Sequence, residues 1–167
     1  NHSTPEAVEA VKNGLADFAV VTTPLQVKKP LKSTSLMSFK EIAVGDNSFQ
    51  GKEKPMRLKD LIANPLISLG QGSTTYEFYS RFFLENDLVL SPDTEVETID
   101  QVLPLIMNGL GVGFLPELFV RPVIEEGKVC QILLKENIPE REICLVENHT
   151  FPPSIAAELF KKMLVLK

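Results

Sequence analysis

Glu97-Thr98-Ile99-Asp100-Gln101-Val102-Leu103-Pro104-Leu105-Ile106-Met107-Asn108-Gly109-Leu110-Gly111-Val112-Gly113-Phe114-Leu115-Pro116 is the stretch on which the reading of this chain turns. Thr98 with Gln101 three residues on is a capping box, the start signal of a helix. Apolar residues then recur at helical spacing as far as Asn108. Pro104 inside that run removes one backbone hydrogen bond and predicts a kink. Glycines follow, and Val112–Leu115 reads as a buried strand ended by Pro116. A dinucleotide fingerprint needs its glycines after a strand and before a helix, so that the helix N-terminus meets the pyrophosphate. Here the order is reversed, so the glycines read as a helix-to-strand turn.

The same grammar extends outward in both directions. Leu66–Leu69 reads as a strand that empties into Gly70-Gln71-Gly72-Ser73-Thr74-Thr75. Thr74 with Glu77 forms a second capping box, predicting a helix from about Thr75 to Asn86 with Tyr79, Phe82 and Phe83 inward. That turn has the order that suits an anion: strand, glycines, then a helix start with free N–H groups, the positive end of the dipole and three hydroxyls. It lacks the Gly-Lys-Ser/Thr of a phosphate-binding loop and the Gly-x-Ser-x-Gly of a nucleophile elbow. An ordinary capped helix explains it equally well.

Near the start, Thr4 as N-cap and Pro5 at the first helical position open a helix carrying Val8, Val11 and Leu15, which Gly14 stops. Phe18–Val21 is a strand ended by Thr22-Thr23-Pro24, and a basic, extended connector lies between Pro24 and Pro30. A second run begins near Leu36: Glu41–Val44 is a strand and Leu58–Ile62 a short helix led by Arg57. Thr94–Val96 is a strand. After Pro116 a further helix runs until Gly127, and Val129–Leu134 and Glu142–Val146 are strands. Ser154 caps the last helix, whose Ile155, Leu159, Met163 and Leu166 share one apolar face. Strands alternating with amphipathic helices mark an α/β protein.

The chain has 167 residues, enough for one ordinary domain or two small lobes. Its 17 Lys+Arg against 22 Asp+Glu leave a net charge of −5, which argues against a direct grip on nucleic acid phosphates. The apolar runs are too short to span a bilayer. Cys130 and Cys144 lie in apolar strands without metal-ligand spacing and read as core thiols. His2 and His149, the two histidines, sit in polar turns without a nucleophile motif beside them. The pairs Glu125-Glu126 and Glu95/Glu97 read as solvated faces. No catalytic residue, no cofactor and no metal site is expected.

Three stretches together resemble the effector-binding domain of LysR-type transcriptional regulators. Asn13-Gly14-Leu15-Ala16-Asp17-Phe18-Ala19-Val20 is similar to the family's helix-end glycine and Asp-apolar strand. Leu58-Lys59-Asp60-Leu61 through Pro65-Leu66-Ile67-Ser68-Leu69 is similar to its "L-x-D-L … P-L-I" segment. The stretch from Glu97 to Pro116 is similar to its "V-x-x-G-x-G-(apolar)-x-(apolar)-P" block. Ser80-Arg81-Phe82 is similar to the Thr-Arg-Phe signature of prephenate dehydratases, but it falls inside a helix among aromatics and reads as coincidence.

The resemblance implies an α/β fold of the type II periplasmic-binding-protein kind, two lobes joined by two crossover strands. Lobe one would be residues 1–38 plus 136–167, and lobe two 39–135. It also implies a DNA-binding N-terminal domain and the first elements of lobe one upstream of Asn1, which would leave lobe one incomplete here. A small polar or anionic effector would be held by Thr4, Thr22, Ser73, Thr74, Thr75 and Thr98, none of which carries a charge. In such sheets ligands sit at the carboxyl ends of strands, near helix N-termini, which agrees with those loops. The full-length protein would be a cytoplasmic homodimer or homotetramer without membrane contact, touching DNA only through the upstream domain. A transporter's solute-binding protein with the same fold is the alternative, and a dehydratase-like enzyme a third.

Overall fold

A computed structural model of the chain describes residues 2–51 and 54–165. Its helices are α1 (Thr4–Lys12), α2 (Leu58–Leu61), α3 (Thr74–Leu84), α4 (Ile99–Met107), α5 (Glu117–Glu125) and α6 (Ile155–Val165). Its strands are β1 (Phe18–Thr22), β2 (Leu31–Phe39), β3 (Glu41–Gly45), β4 (Leu66–Leu69), β5 (Thr94–Val96), β6 (Val112–Pro116), β7 (Cys130–Ile132) and β8 (Arg141–Asn148). The chain divides into two compact units, Asn1–Ser38 with Arg141–Lys167, and Phe39–Glu140.

The first unit is built on a three-stranded sheet in the order β1-β8-β2, with β1 antiparallel to β8. Ser3, not Thr4, is the N-cap of α1. The reason is reciprocity: Glu6 stands three residues after Ser3, and its carboxylate accepts from the Ser3 N–H and hydroxyl, both at 2.8 Å. Ala7, three residues after Thr4, can offer nothing back. Gly14 follows the helix with φ of 71°, the left-handed conformation a C-terminal glycine supplies. Val11, Ala19, Val21, Cys144 and Val146 are buried together beneath α1.

Strand β2 starts directly after the connector expected between Pro24 and Pro30, ahead of the second run that the sequence begins near Leu36. Its burial is confined largely to its ends, Leu31 and Phe39, so no alternating apolar pattern announces it. The ladder with β8 makes it a strand, and backbone pairing does not depend on side-chain hydropathy. On the sheet face opposite α1, Phe18 stacks on Phe160 of α6 with ring centroids 5.8 Å apart. The apolar face expected on α6 points outward among the described residues: Ile155 is 82% exposed and Met163 70%. Leu166 lies outside the described residues.

The second unit holds a five-stranded sheet in the order β5-β4-β6-β3-β7. Strands β5, β4 and β6 are parallel, whereas β3 runs antiparallel to β6 and to β7. Leu66, Phe114 and Ala43 meet Tyr79, Phe82 and Phe83 of α3 on one face. Ile67, Leu115 and Val44 meet Val102 and Ile106 of α4 and Val120 of α5 on the other. Both faces of this sheet are therefore covered, the arrangement that parallel strands require.

Two local results fix the boundaries. Helix α3 starts at Thr74 with Ser73 as its cap, whose Oγ accepts from the Tyr76 N–H at 3.0 Å; a box from Thr74 to Glu77 is not formed. The strand expected over 129–134 is shorter, because Leu133 and Lys135 hydrogen-bond the backbone of Met56 instead. Glu136 then accepts from the Leu58 N–H at 2.8 Å. That contact holds residues 136–140 to the second unit, and the chain passes to the first unit at Arg141.

Candidate functional site

In the second unit the parallel strands set the site. Strands β4, β5 and β6 point their carboxyl ends the same way, and α3, α4 and α5 begin just beyond those ends. The N-termini of these helices, the positive ends of their dipoles, thus gather at the carboxyl end of the parallel strands. The Gly70 N–H donates to the Val96 carbonyl at 3.2 Å, tying the glycine turn to the end of β5. This single bond brings Ser73, Thr74 and Thr75 to the same edge as Thr98. Thr98 caps α4 through the expected box, in which Gln101 Oε1 accepts from the backbone N–H groups of Glu97 at 3.0 Å and Thr98 at 3.2 Å.

Ser73 and Thr75 are half-buried and Thr74 is buried. Gly72 has φ of 87° and open space around its α-carbon, so the backbone there is approachable. Glu95 also reaches this edge: its Oε2 lies 3.2 Å from where a Cβ on Gly70 would be. A carboxylate beside the turn narrows what can bind, because an anion at Gly70 would meet a like charge. Sequence reading set Glu95 aside as a solvated face, and the parallel register Ser68 to Glu95 is what brings it to the turn.

In the first unit the other two candidates share one end. Asn148 pairs the end of β8 with the C-terminus of α1, its Nδ2 donating to Lys12 O at 3.0 Å. Since Glu147 opposes Phe18 in the ladder, that is the end where β1 starts. Thr4, at the opposite terminus of α1, therefore lies toward the carboxyl end of β1, where Thr22 sits. Thr4 is the first helical residue and half-buried.

Thr22 has a partner that no local pattern disclosed. Arg141, 2% exposed, donates from Nη2 to Thr22 Oγ1 at 2.8 Å and from Nε to the Thr23 carbonyl at 2.7 Å. The neighbouring Thr23 Oγ1 accepts from the Glu142 N–H at 2.9 Å. A charged group thus stands directly behind the Thr22 hydroxyl, which the resemblance placed at the ligand. The Thr22 to Ile143 register brings Arg141 there, and sequence spacing holds no trace of it.

Among the described residues no group of three or more His, Cys, Asp or Glu could hold a metal ion. Cys130 and Cys144 are free thiols, and His149 is exposed in the turn after β8. Glu6, Glu9 and Asp60 are held below the usual carboxylate range by hydrogen bonds from Ser3, from Lys12 and Asn13, and from Arg57 respectively. All three are helix-surface partners. A cavity of about 320 Å³ in the second unit is bordered by Ile42, Ile132, Leu134 and Ile138, and none of Ser73, Thr74, Thr75 and Thr98 lines it. No helix among the described residues is long and apolar enough to cross a membrane.

A family model described as the LysR substrate binding domain matches residues 1–166. An uncharacterized HTH-type transcriptional regulator, YwqM of Bacillus subtilis (strain 168), is 25% identical over 139 residues, 82% of this chain and 47% of that protein. The chain therefore spans about half the length of this curated relative. Among solved structures, the effector binding domain of QuiR in complex with shikimate has a TM-score of 0.81 at 17% identity, covering 98% of this chain and 77% of that one. The Synechocystis PCC6803 CcmR regulatory domain in complex with 2-PG has a TM-score of 0.82 at 14% identity, covering 99% and 79%. The bromide-bound regulatory domain of HypT from Salmonella typhimurium has a TM-score of 0.77 at 20% identity, covering 98% and 77%. Each of these likenesses is one of fold.

Proposed function

The chain belongs to the LysR substrate-binding domain family, and from that we propose that it senses a small polar or anionic effector for a bacterial LysR-type transcription factor. The observation that carries the reading is the Gly70 to Val96 bond, which sets Ser73–Thr75 beside Thr98 at the carboxyl edge of parallel strands. Hydroxyls and helix N-termini on such an edge are suited to a ligand's oxygen atoms. Thr4 and Thr22 would serve from the first unit, which we take to be one lobe of a two-lobed domain. The regulator reading is preferred over a transporter's solute-binding protein because the curated relative is an HTH-type regulator.

Effector binding would act by population shift, favouring whichever conformation binds the effector more tightly. DNA contact would belong to a separate N-terminal domain, in keeping with this chain's net charge of −5. The whole protein would be a cytoplasmic homodimer or homotetramer. The outer edge of β1 and the exposed apolar residues of α6 support a further element from upstream in the same polypeptide, packed against this unit.

A thermal-shift screen of metabolites tests the reading, since a ligand of the folded state raises Tm by mass action. A concentration-dependent rise that is lost on changing Thr98 or Thr22 is the expected result. A ligand whose rise survives both changes would place binding elsewhere and overturn the assignment.

A further inference from the structure

We infer that the cavity of about 320 Å³ between β3 and residues 131–140 binds one extended aminoacyl unit with an apolar side chain, as a short peptide or an amino-acid amide carries. The cavity arises where two strands part. Strand β7 pairs with β3 as far as Ile132 opposite Ala43. Beyond that point the Leu133 carbonyl accepts from the Met56 N–H, and the Lys135 N–H donates to the Met56 carbonyl, both at 2.9 Å. Strand β3 instead stays with β6, Ile42 opposite Leu115 and Glu41 opposite Pro116. Glu136 holds the gap open by accepting from the Leu58 N–H at 2.8 Å, which ties the departing segment to α2.

Leu134 gives the gap its chemistry. Its two neighbours turn their polar groups to Met56, so in this bridge the N–H and C=O of Leu134 itself point to the opposite side, that of β3. Among the described residues neither group has a hydrogen-bond partner. Leu134 is half-buried, and a half-buried strand donor and acceptor left open call for partners. The group that satisfies both is the one a strand residue offers: an N–H and a C=O separated by a single carbon. An aminoacyl unit has that spacing. A simple amine lacks the acceptor, and a simple carboxylic acid lacks the donor.

The remaining lining sets the side chain and the charge. Ile132 and the partly buried Leu134 and Ile138 belong to the apolar cluster beneath α3, so an aliphatic ligand side chain loses water on entering. Glu41, Glu136 and Glu140 line the cavity against Lys40 as its one cation. A free carboxylate on the ligand meets like charge there, whereas an ammonium or a neutral amide does not. The volume lies at the low end of the roughly 300–1,000 Å³ of small-molecule sites. Main-chain pairing for affinity and an apolar pocket for specificity is the logic of strand addition, confined here to one residue.

Leucinamide, 3-methylbutylamine and N-acetyl-leucine, titrated into the ¹⁵N-labelled chain, test the inference. The amine keeps the aliphatic body and the positive charge of leucinamide but has no carbonyl; N-acetyl-leucine carries the carboxylate. Saturable shifts of the Ile132, Leu134 and Ile138 amides with leucinamide are expected, with a preference of roughly tenfold over either control. Leu134→Pro removes the N–H that Met56 does not use and should erase the preference over the amine. Ile138→Trp fills the cavity and should abolish the shifts; it stands in if Leu134→Pro fails to fold. Equal affinity for 3-methylbutylamine would overturn the pairing with Leu134. Shifts confined to Ser73–Thr75 and Thr98, or binding intact in Ile138→Trp, would overturn the site itself.

Discussion

The carboxylate of Asp17 accepts from the Ser154 backbone N–H at 2.7 Å and from the Ser154 hydroxyl at 3.1 Å. Ser154 Oγ in turn accepts from the Ala157 N–H at 3.2 Å, so Asp17 orients the residue that caps α6. The start of β1 and the start of the last helix are thereby joined across 137 positions of chain.

Removing that carboxylate should loosen α6. Asp17→Ala is expected to cost about 1–2 kcal/mol in urea unfolding, the range of a lost cap with a charge-assisted bond. Asp17→Asn, which keeps one acceptor oxygen, should cost less. Equal losses for the two variants would show that the hydrogen bonds contribute little.

Ser73 caps α3 and is also a proposed ligand contact, and substitution can separate the two. Ser73→Ala removes the bond to the Tyr76 N–H and should cost about 1 kcal/mol of stability. Ser73→Asp preserves an N-cap acceptor and should hold Tm, yet place a negative charge where an anionic effector would sit. Calorimetric titration with whichever metabolite the thermal screen identifies should show Ser73→Asp as the weaker binder of the two. Undiminished binding in Ser73→Asp would remove Ser73 from the site.

Gly111 and Gly127 both have positive φ, of 155° and 70°, but they sit in different surroundings. A Cβ on Gly111 would lie 2.3 Å from the Pro65 carbonyl oxygen, while one on Gly127 meets nothing within 4 Å. Gly127→Ala should therefore cost about 1 kcal/mol, from backbone conformation alone. Gly111→Ala adds a clash with backbone and should cost about 3 kcal/mol or more. Parity in denaturant midpoints would show that β4 and β6 can part without penalty.

Acid should weaken the cap of α1. The Ser3 N–H and hydroxyl favour ionised Glu6, so its folded pKa lies below the ordinary value of 4.5. Its contribution is then full above that value and is lost as pH falls through the lowered one. The Tm gap between wild type and Glu6→Gln should be larger at pH 7 than at pH 3. A gap that does not change with pH would mean that Glu6 stabilises α1 without its charge.

The apolar face of α6 offers a context-dependent test. In this chain Met163→Lys and Ile155→Lys change residues 70% and 82% exposed, and should shift stability by no more than about 0.5 kcal/mol. In a longer version of the protein that includes upstream residues, the same changes should cost about 1–2 kcal/mol, the worth of a newly buried aliphatic side chain. Identical small effects in both would leave that face solvent-exposed.

Much of the architecture was legible in local pattern. Thr94–Val96 matches β5 as read, the Thr98–Gln101 box forms, and Tyr79, Phe82 and Phe83 point inward as their spacing required. The caps were displaced by one residue wherever two hydroxyls stood together, at Ser3-Thr4 and at Ser73-Thr74. Either hydroxyl can cap, and the backbone conformation chosen at the helix entrance decides between them. The candidate hydroxyls were named from the family resemblance, in loops where a strand or a helix start is legible in local pattern. Thr23, Glu95 and Arg141 were not, because each acquires its place through a strand register.

What the sequence by itself determined is the succession of helices and strands, the glycine turns and the family, all written in short-range periodicity and hydrogen-bond caps. It also determined the charge balance, a net −5 that disfavours phosphate contacts by this chain. Only the tertiary structure decided that a Ser/Thr-rich segment is β2, that Glu95 stands beside Gly70, and that Arg141 stands behind Thr22. The reason is physical. Backbone ladders pair strands regardless of hydropathy, and a buried arginine 119 positions from its hydroxyl partner leaves no periodic mark on the chain.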